Sequence, residues 1–132
     1  MTSGTSSILS ALNLDLHLEL AEQWLEILNI PIPDVFITAD FVKDGKPSPE
    51  GYLLGRERLG VTGSLDHVLV FEDAVAGVRA GKAAGATVVA VIETYSKEAL
   101  VAAGADYVLE GLDKVRIIQG DASQMTLELE II

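Results

Sequence analysis

Lys46-Pro47-Ser48-Pro49 sets an ammonium group in a proline-braced loop, and Glu72-Asp73 sets two carboxylates at the end of the apolar run Val68-Leu69-Val70-Phe71. Lys46 and Ser48 each precede a proline, which confines both to extended backbone and makes the loop a stiff platform. Adjacent carboxylates repel each other, and a bound cation or a lysine relieves that repulsion. Together the two segments hold the parts needed to bind a phosphate and a hard divalent cation. Mg2+ suits such a site, because it takes one or two carboxylates, waters and phosphate oxygens. Each part has an ordinary reading by itself: Lys46 as a solvated turn lysine, Asp73 as the cap of the next helix with Glu72 in solvent. Their joint occurrence carries the functional reading.

Other polar residues are weaker candidates. Thr2, Ser3 and Thr5 offer hydroxyls and backbone N–H groups to a phosphate in a glycine-containing turn. A plain Ser/Thr/Gly tail is the commoner meaning of such a segment. His17 and His67 read as surface or packing residues, and no histidine spacing suggests a metal site. Trp24 reads as a core anchor. Arg56, Arg58, Arg79 and Lys82 read as solvated faces of helices.

The elements that must position these groups follow from periodicity and punctuation. Leu12, Leu14, Leu16, Leu18 and Leu20 alternate with polar residues, whereas Leu20, Ala21, Trp24, Leu25 and Leu28 recur at helical spacing. The second pattern predicts a helix over 20–29, ended by Asn29, Pro31 and Pro33; 8–19 stay open between strand and helix. A short strand is expected over Val35 to Ala39, then a single turn capped by Asp40 and a turn at Asp44-Gly45. Ser48 as N-cap and Pro49 in the first turn open a helix that runs to about Gly60. The strand 68–72 leads into a helix over Ala74 to Ala84, with Gly85 just past its end. Gly77, Gly81 and Gly85 recur every four residues and allow a close approach to a sheet. Thr87 to Ile92 is wholly apolar, which predicts a strand covered on both faces. A helix capped by Ser96, a strand over Tyr107 to Leu109, and two strands over Val115 to Ile118 and Thr126 to Ile132 follow. Leu127, Leu129 and Ile131 are expected to face inward. This alternation predicts an α/β fold, a Rossmann-like parallel sheet with flanking helices and a C-terminal β-hairpin. Ligands in such sheets bind beyond the carboxyl ends of the strands, where Lys46 and Glu72-Asp73 both fall.

Composition narrows the partners. The 132 residues fit one domain, 49% of them are apolar, and the net charge is −11. That charge disfavours nucleic acid and anionic membranes, which need clustered Lys and Arg. There is no cysteine, hence no disulfide framework and no thiolate metal site. No apolar run reaches the ~18 residues of a spanning helix, and the first residues lack a basic signal-peptide region. Cytoplasm is the expected location.

Asp44-Gly45-Lys46-Pro47-Ser48-Pro49-Glu50, Val70-Phe71-Glu72-Asp73-Ala74 with Gly77, and Ala80-Gly81-Lys82-Ala83-Ala84-Gly85-Ala86 resemble the haloacid dehalogenase superfamily. The likeness is to its β-phosphoglucomutase-like branch, and there to the fungal glycerol-phosphate and 2-deoxyglucose-6-phosphate phosphatases. It covers about residues 21–132. Met1-Thr2-Ser3-Gly4-Thr5 resembles the branch's second motif. The resemblance implies that Thr2 and Ser3 bind phosphate, that Lys46 neutralises phosphate and nucleophile, and that Glu72 and Asp73 hold Mg2+. It implies hydrolysis of a small phosphorylated metabolite through an aspartyl-phosphate. The family's first motif, Asp-x-Asp, is absent from these residues. The chain is therefore expected to be a partial core domain over 1–132, with an atypical segment over 1–20, an insertion-like stretch at 6–20 and no cap domain. It is expected to be marginally stable, with the Leu12–Leu20 alternation pairing as a substitute strand. A non-catalytic Mg2+-binding or interaction module is the alternative. A receiver-type phosphoacceptor fits less well, because receivers place their acid pair before the lysine.

Overall fold

Strands and helices alternate along the chain as the patterning predicts, in a computed structural model that describes residues 11–13, 17–61, 68–120 and 125–132. Strand β1 (Ala11–Asn13) leads through α1 (Leu18–Ile27) to β2 (Val35–Ile37), and the two strands pair in parallel with Ala11 opposite Val35. Of the Leu12–Leu20 stretch expected to pair as a substitute strand, Ala11–Asn13 do pair as one, and Leu18 and Leu20 lie in α1. Next come α2 (Glu50–Leu59), β3 (Leu69–Glu72), α3 (Val75–Ala83), β4 (Thr87–Val91), α4 (Lys97–Ala102) and β5 (Tyr107–Leu109). These last strands form a parallel sheet in the order β3-β4-β5. Strands β6 (Val115–Gly120) and β7 (Met125–Leu129) close an antiparallel hairpin.

The core lies between β4 and the helices on it. Val70, Val78, Ala86, Val88, Ala90, Leu100 and Val108 form one buried cluster. The apolar run of β4 is buried from Val88 to Val91, as an all-apolar central strand requires. Gly81 lets α3 ride close to the sheet: a Cβ there would lie 2.7 Å from Val88 Cγ2. Gly85, at φ 85°, ends α3 in the left-handed region that glycine tolerates. Ser96 Oγ accepts from the Ala99 N–H at 3.2 Å and caps α4 as expected.

Three expectations need correction. Trp24 is not a core anchor but 50% exposed. The buried stripe of α1 consists of Ala21 and Leu25, one turn apart, and Trp24 lies beside it. Asp40 does not cap its own turn (Ala39–Phe41), which has no side-chain cap. Its carboxylate instead accepts from the Leu18 N–H at the start of α1, and its Oδ1 lies 3.0 Å from His17 Nδ1. His17 is therefore a paired surface residue. The Leu18 and His17 hydrogen bonds hold the Asp40 carboxyl below the usual carboxylate range, against a smaller opposing effect of burial. Finally, Ile131 is exposed, because it lies beyond the last residue of β7, where strand alternation no longer sets its face.

Among the described residues, no backbone pairing joins the β1–β2 pair to the β3–β4–β5 sheet. Helix α2 links them by packing against β1, β2 and α3. No described helix is long and apolar enough to cross a membrane.

Candidate functional site

The site forms where the loop before α2 meets the tip of β3. The loop is pinned from both sides. The Glu50 carboxylate accepts from the Lys43 N–H at 2.7 Å and the Asp44 N–H at 2.9 Å, and the Ser48 N–H donates to the Gly45 carbonyl at 3.0 Å. The Lys43 bond first, then the Asp44 bond, lower the Glu50 pKa from its ordinary value. The N-cap of α2 is Pro49, not the expected Ser48, which lies one residue earlier and whose Oγ accepts from the Glu50 N–H at 3.3 Å. Lys46 sits at the tip of this loop, and its peptide bond to Pro47 is cis.

Strand alternation decides where Glu72 goes. Val70 and Glu72 share the buried face of β3, while Leu69 and Phe71 are each 39% exposed. Glu72 therefore turns inward, toward α2 and α3. Lys46 Nζ donates to Glu72 Oε1 at 2.7 Å, with the two side chains only 14% and 7% exposed. The Tyr52 hydroxyl donates to the same oxygen, and Lys46 Nζ lies 5.3 Å from the centre of the Tyr52 ring. On the other side, Glu72 Oε2 receives the Asp73 N–H at 3.3 Å. Room for the carboxylate comes from Gly77: a Cβ there would lie 2.0 Å from Glu72 Cδ.

Asp73 is exposed, and α3 begins without any side-chain cap. The ordinary reading of Asp73 as a helix cap does not describe this structure. Lys46 and Glu72 are brought together as expected, at the carboxyl end of β3. That strand is an edge, not the centre, of the sheet it belongs to among the described residues. Thr2, Ser3 and His67 lie outside the described residues.

One contributor, Tyr52, was not singled out from sequence, and a second, Gly77, was given a different role. Tyr52 follows two small steps into α2, and its only signal is that a helix opened at Ser48-Pro49 sends an early residue back over the loop. Gly77 was visible in the four-residue glycine repeat, but as a helix–sheet contact; its space is filled by a carboxylate. Lys82, expected in solvent, donates to Asp106 Oδ2 at 2.8 Å and to the Ala86 carbonyl at 3.2 Å. Arg58 stacks 4.9 Å from the Phe41 ring centre. Both belong to the scaffold rather than to the β3 tip.

A model of the haloacid dehalogenase-like hydrolase family matches residues 10–85. Glycerol-1-phosphate phosphohydrolase 1 of Saccharomyces cerevisiae is 41% identical over 119 residues, 86% of this chain and 47% of that protein. The 2-deoxyglucose-6-phosphate phosphatase 2 of the same yeast is 42% identical over 117 residues, 83% of this chain and 48% of that protein. Among solved structures, a HAD family hydrolase from Deinococcus radiodurans with bound phosphate and sodium superposes with a TM-score of 0.69 at 26% identity, covering 75% of this chain and 46% of that one. The chain spans about half the length of the curated relatives it matches.

Proposed function

The chain belongs to the haloacid dehalogenase-like hydrolase family, and from that premise we propose that it carries part of the site of a phosphatase acting on small phosphorylated sugars or polyols. The observation that carries this reading is the Lys46–Glu72 pair at 2.7 Å, beside the exposed Asp73 carboxylate, at a strand's carboxyl end. The substrate class is supported by the names of the yeast relatives and of hexitol phosphatase A from Escherichia coli, 50% identical over 66 residues.

In this reading Lys46 contacts the phosphate and offsets its charge, with Thr2 and Ser3 as further phosphate donors. Asp73, with the Oε2 side of Glu72, is the place for Mg2+. Hard carboxylate oxygens suit that ion in kind. Among the described residues no third His, Cys, Asp or Glu joins them, so water and phosphate oxygens would complete the shell. When bound, the ion offsets charge on the phosphoryl oxygens. A cytoplasmic setting belongs to the same proposal, as does the lack of a nucleic-acid or membrane partner, which the net charge of −11 supports.

A second reading rests on a specific feature. The 132 residues contain no Asp-x-Asp, the pair that supplies the family's nucleophile and its acid/base. By themselves they would then bind Mg2+ or phosphate without turning it over. One experiment addresses both. The chain is fused to the part of yeast glycerol-1-phosphate phosphohydrolase 1 that it leaves unmatched, and phosphate release from glycerol phosphate is measured with and without Mg2+. The expected result is Mg2+-dependent release, lowered by about a hundredfold or more in Lys46→Met and Asp73→Asn, the scale of losing one charge-stabilising group. A folded fusion without release, or release indifferent to both substitutions, would overturn the phosphatase reading.

A further inference from the structure

We propose that Tyr52 is the positioning residue of this site, holding Glu72 and Lys46 in the geometry that presents the ammonium. The proposal rests on the reading of Lys46 as the phosphate-contacting group. Glu72 is a buried carboxylate and must be paired. Its Oε1 receives two donors at once, Lys46 Nζ and the Tyr52 hydroxyl. One of these is a charge and the other is not. A lysine alone is a compact point charge on a flexible stem and fixes no direction. The phenol fixes one, because its ring is held: Tyr52 packs against the buried cluster that includes Val70, Val78 and Val88. The same ring presents its face to Lys46 Nζ at 5.3 Å, a favourable place for a cation. Tyr52 therefore meets both members of the ion pair, one through its hydroxyl and one through its ring. Gly77 completes the arrangement by leaving room for the carboxylate, since a Cβ there would lie 2.0 Å from Glu72 Cδ.

Tyr52→Phe removes the hydroxyl and keeps the ring. In phosphate-free buffer, acylation of each lysine of the 132-residue chain by acetic anhydride is followed by mass spectrometry. Lys46, nearly buried, should react slowly beside the exposed Lys43 and Lys97. In Tyr52→Phe it should react about tenfold faster, the factor expected for one lost hydrogen bond to a charged group, with Lys82 unchanged. An unchanged Lys46 rate in a folded Tyr52→Phe protein overturns the proposal. So does an unfolded one, since the hydroxyl would then hold the core rather than the amine. Binding of inorganic phosphate with Mg2+ is measured in parallel. There, Tyr52→Phe should weaken binding in the wild-type background and change nothing in Lys46→Met, as required of a residue that acts through Lys46. A wild-type chain that does not bind phosphate fails the phosphatase reading alone, because the acylation result does not depend on it.

Discussion

Strands β3 and β4 are neighbours in one sheet and are built differently. From Val88 to Val91 every side chain of β4 is buried, and both of its edges are paired. Strand β3 buries only Val70 and Glu72, shows Leu69 and Phe71 to solvent, and pairs on one edge among the described residues. Packing is concentrated on β4, and the polar chemistry sits on the strand beside it. A carboxylate can be kept under control at such an edge only by partners brought from elsewhere, which is what Lys46 and Tyr52 do.

The largest effect expected of this contrast concerns turnover. The 132-residue chain alone should release no phosphate from p-nitrophenyl phosphate above background, with or without Mg2+, because its sequence holds no Asp-x-Asp and the described β3 tip offers only Lys46, Glu72 and Asp73. Turnover that disappears in Asp73→Asn would mean that another carboxylate serves, and that the edge is more complete than the contrast implies. Next in size is the β4 side. Leu100, fully buried in the cluster that also holds Val88 and Ala90, should cost about 3 kcal/mol as Leu100→Ala, measured by urea unfolding. The exposed Ile27, 71% exposed on α1, should cost less than about 0.5 kcal/mol as Ile27→Ala. Equal losses at the two positions would show that burial does not rank the regions.

Gly77→Ala probes the β3 side. Its Cβ would lie 2.0 Å from the Glu72 carboxyl carbon and must displace it. If β3 has an open way to water, the displaced carboxylate escapes and the loss is about 2 kcal/mol, below the value for a carboxylate trapped without its partner. A loss well above that would place Glu72 in a closed interior. Hydrogen exchange should rank the backbone likewise, with β4 amides the slowest and those of β1 and β2 the fastest.

The smallest effect is in acid. Asp40, Glu50 and Asp106 are all held below their ordinary values. At Asp106 burial pushes upward but is outweighed by the Lys82 hydrogen bond and the Val88 N–H. A carboxyl with a lowered folded pKa adds stability that is complete above its unfolded value of about 4 and disappears as pH falls through the folded value. Stability should therefore be level from pH 7 to 5 and decline below about 4, with a shallower decline in Asp106→Asn. A decline that begins well above pH 5 would show that these carboxylates do not set the acid limit.

Much of this molecule was legible beforehand, for identifiable reasons. The apolar run at Thr87, the Ser48-Pro49 opening, the Ser96 cap and the glycine at 85 are local signals, read within a turn or two of chain. The pairing of Lys46 with Glu72 followed from both lying at carboxyl ends of strands. What escaped was set by tertiary partners. Trp24 has the spacing of a core residue, but only Ala21 and Leu25 of α1 are buried. Tyr52 gains its role from a carboxylate 20 residues away, and Asp40 from a helix that precedes it.

That last case bears on how the chain folds. A helix usually starts with a cap drawn from its own first residues, so that its first turn can form independently. The first turn of α1 instead relies on Asp40, which reaches the Leu18 N–H only after the chain has traversed β2 and turned back. Its earliest hydrogen bonds are thus conditional on the docking of what comes after it. The start of α1 should behave as one cooperative unit with β2, gaining and losing order together with it.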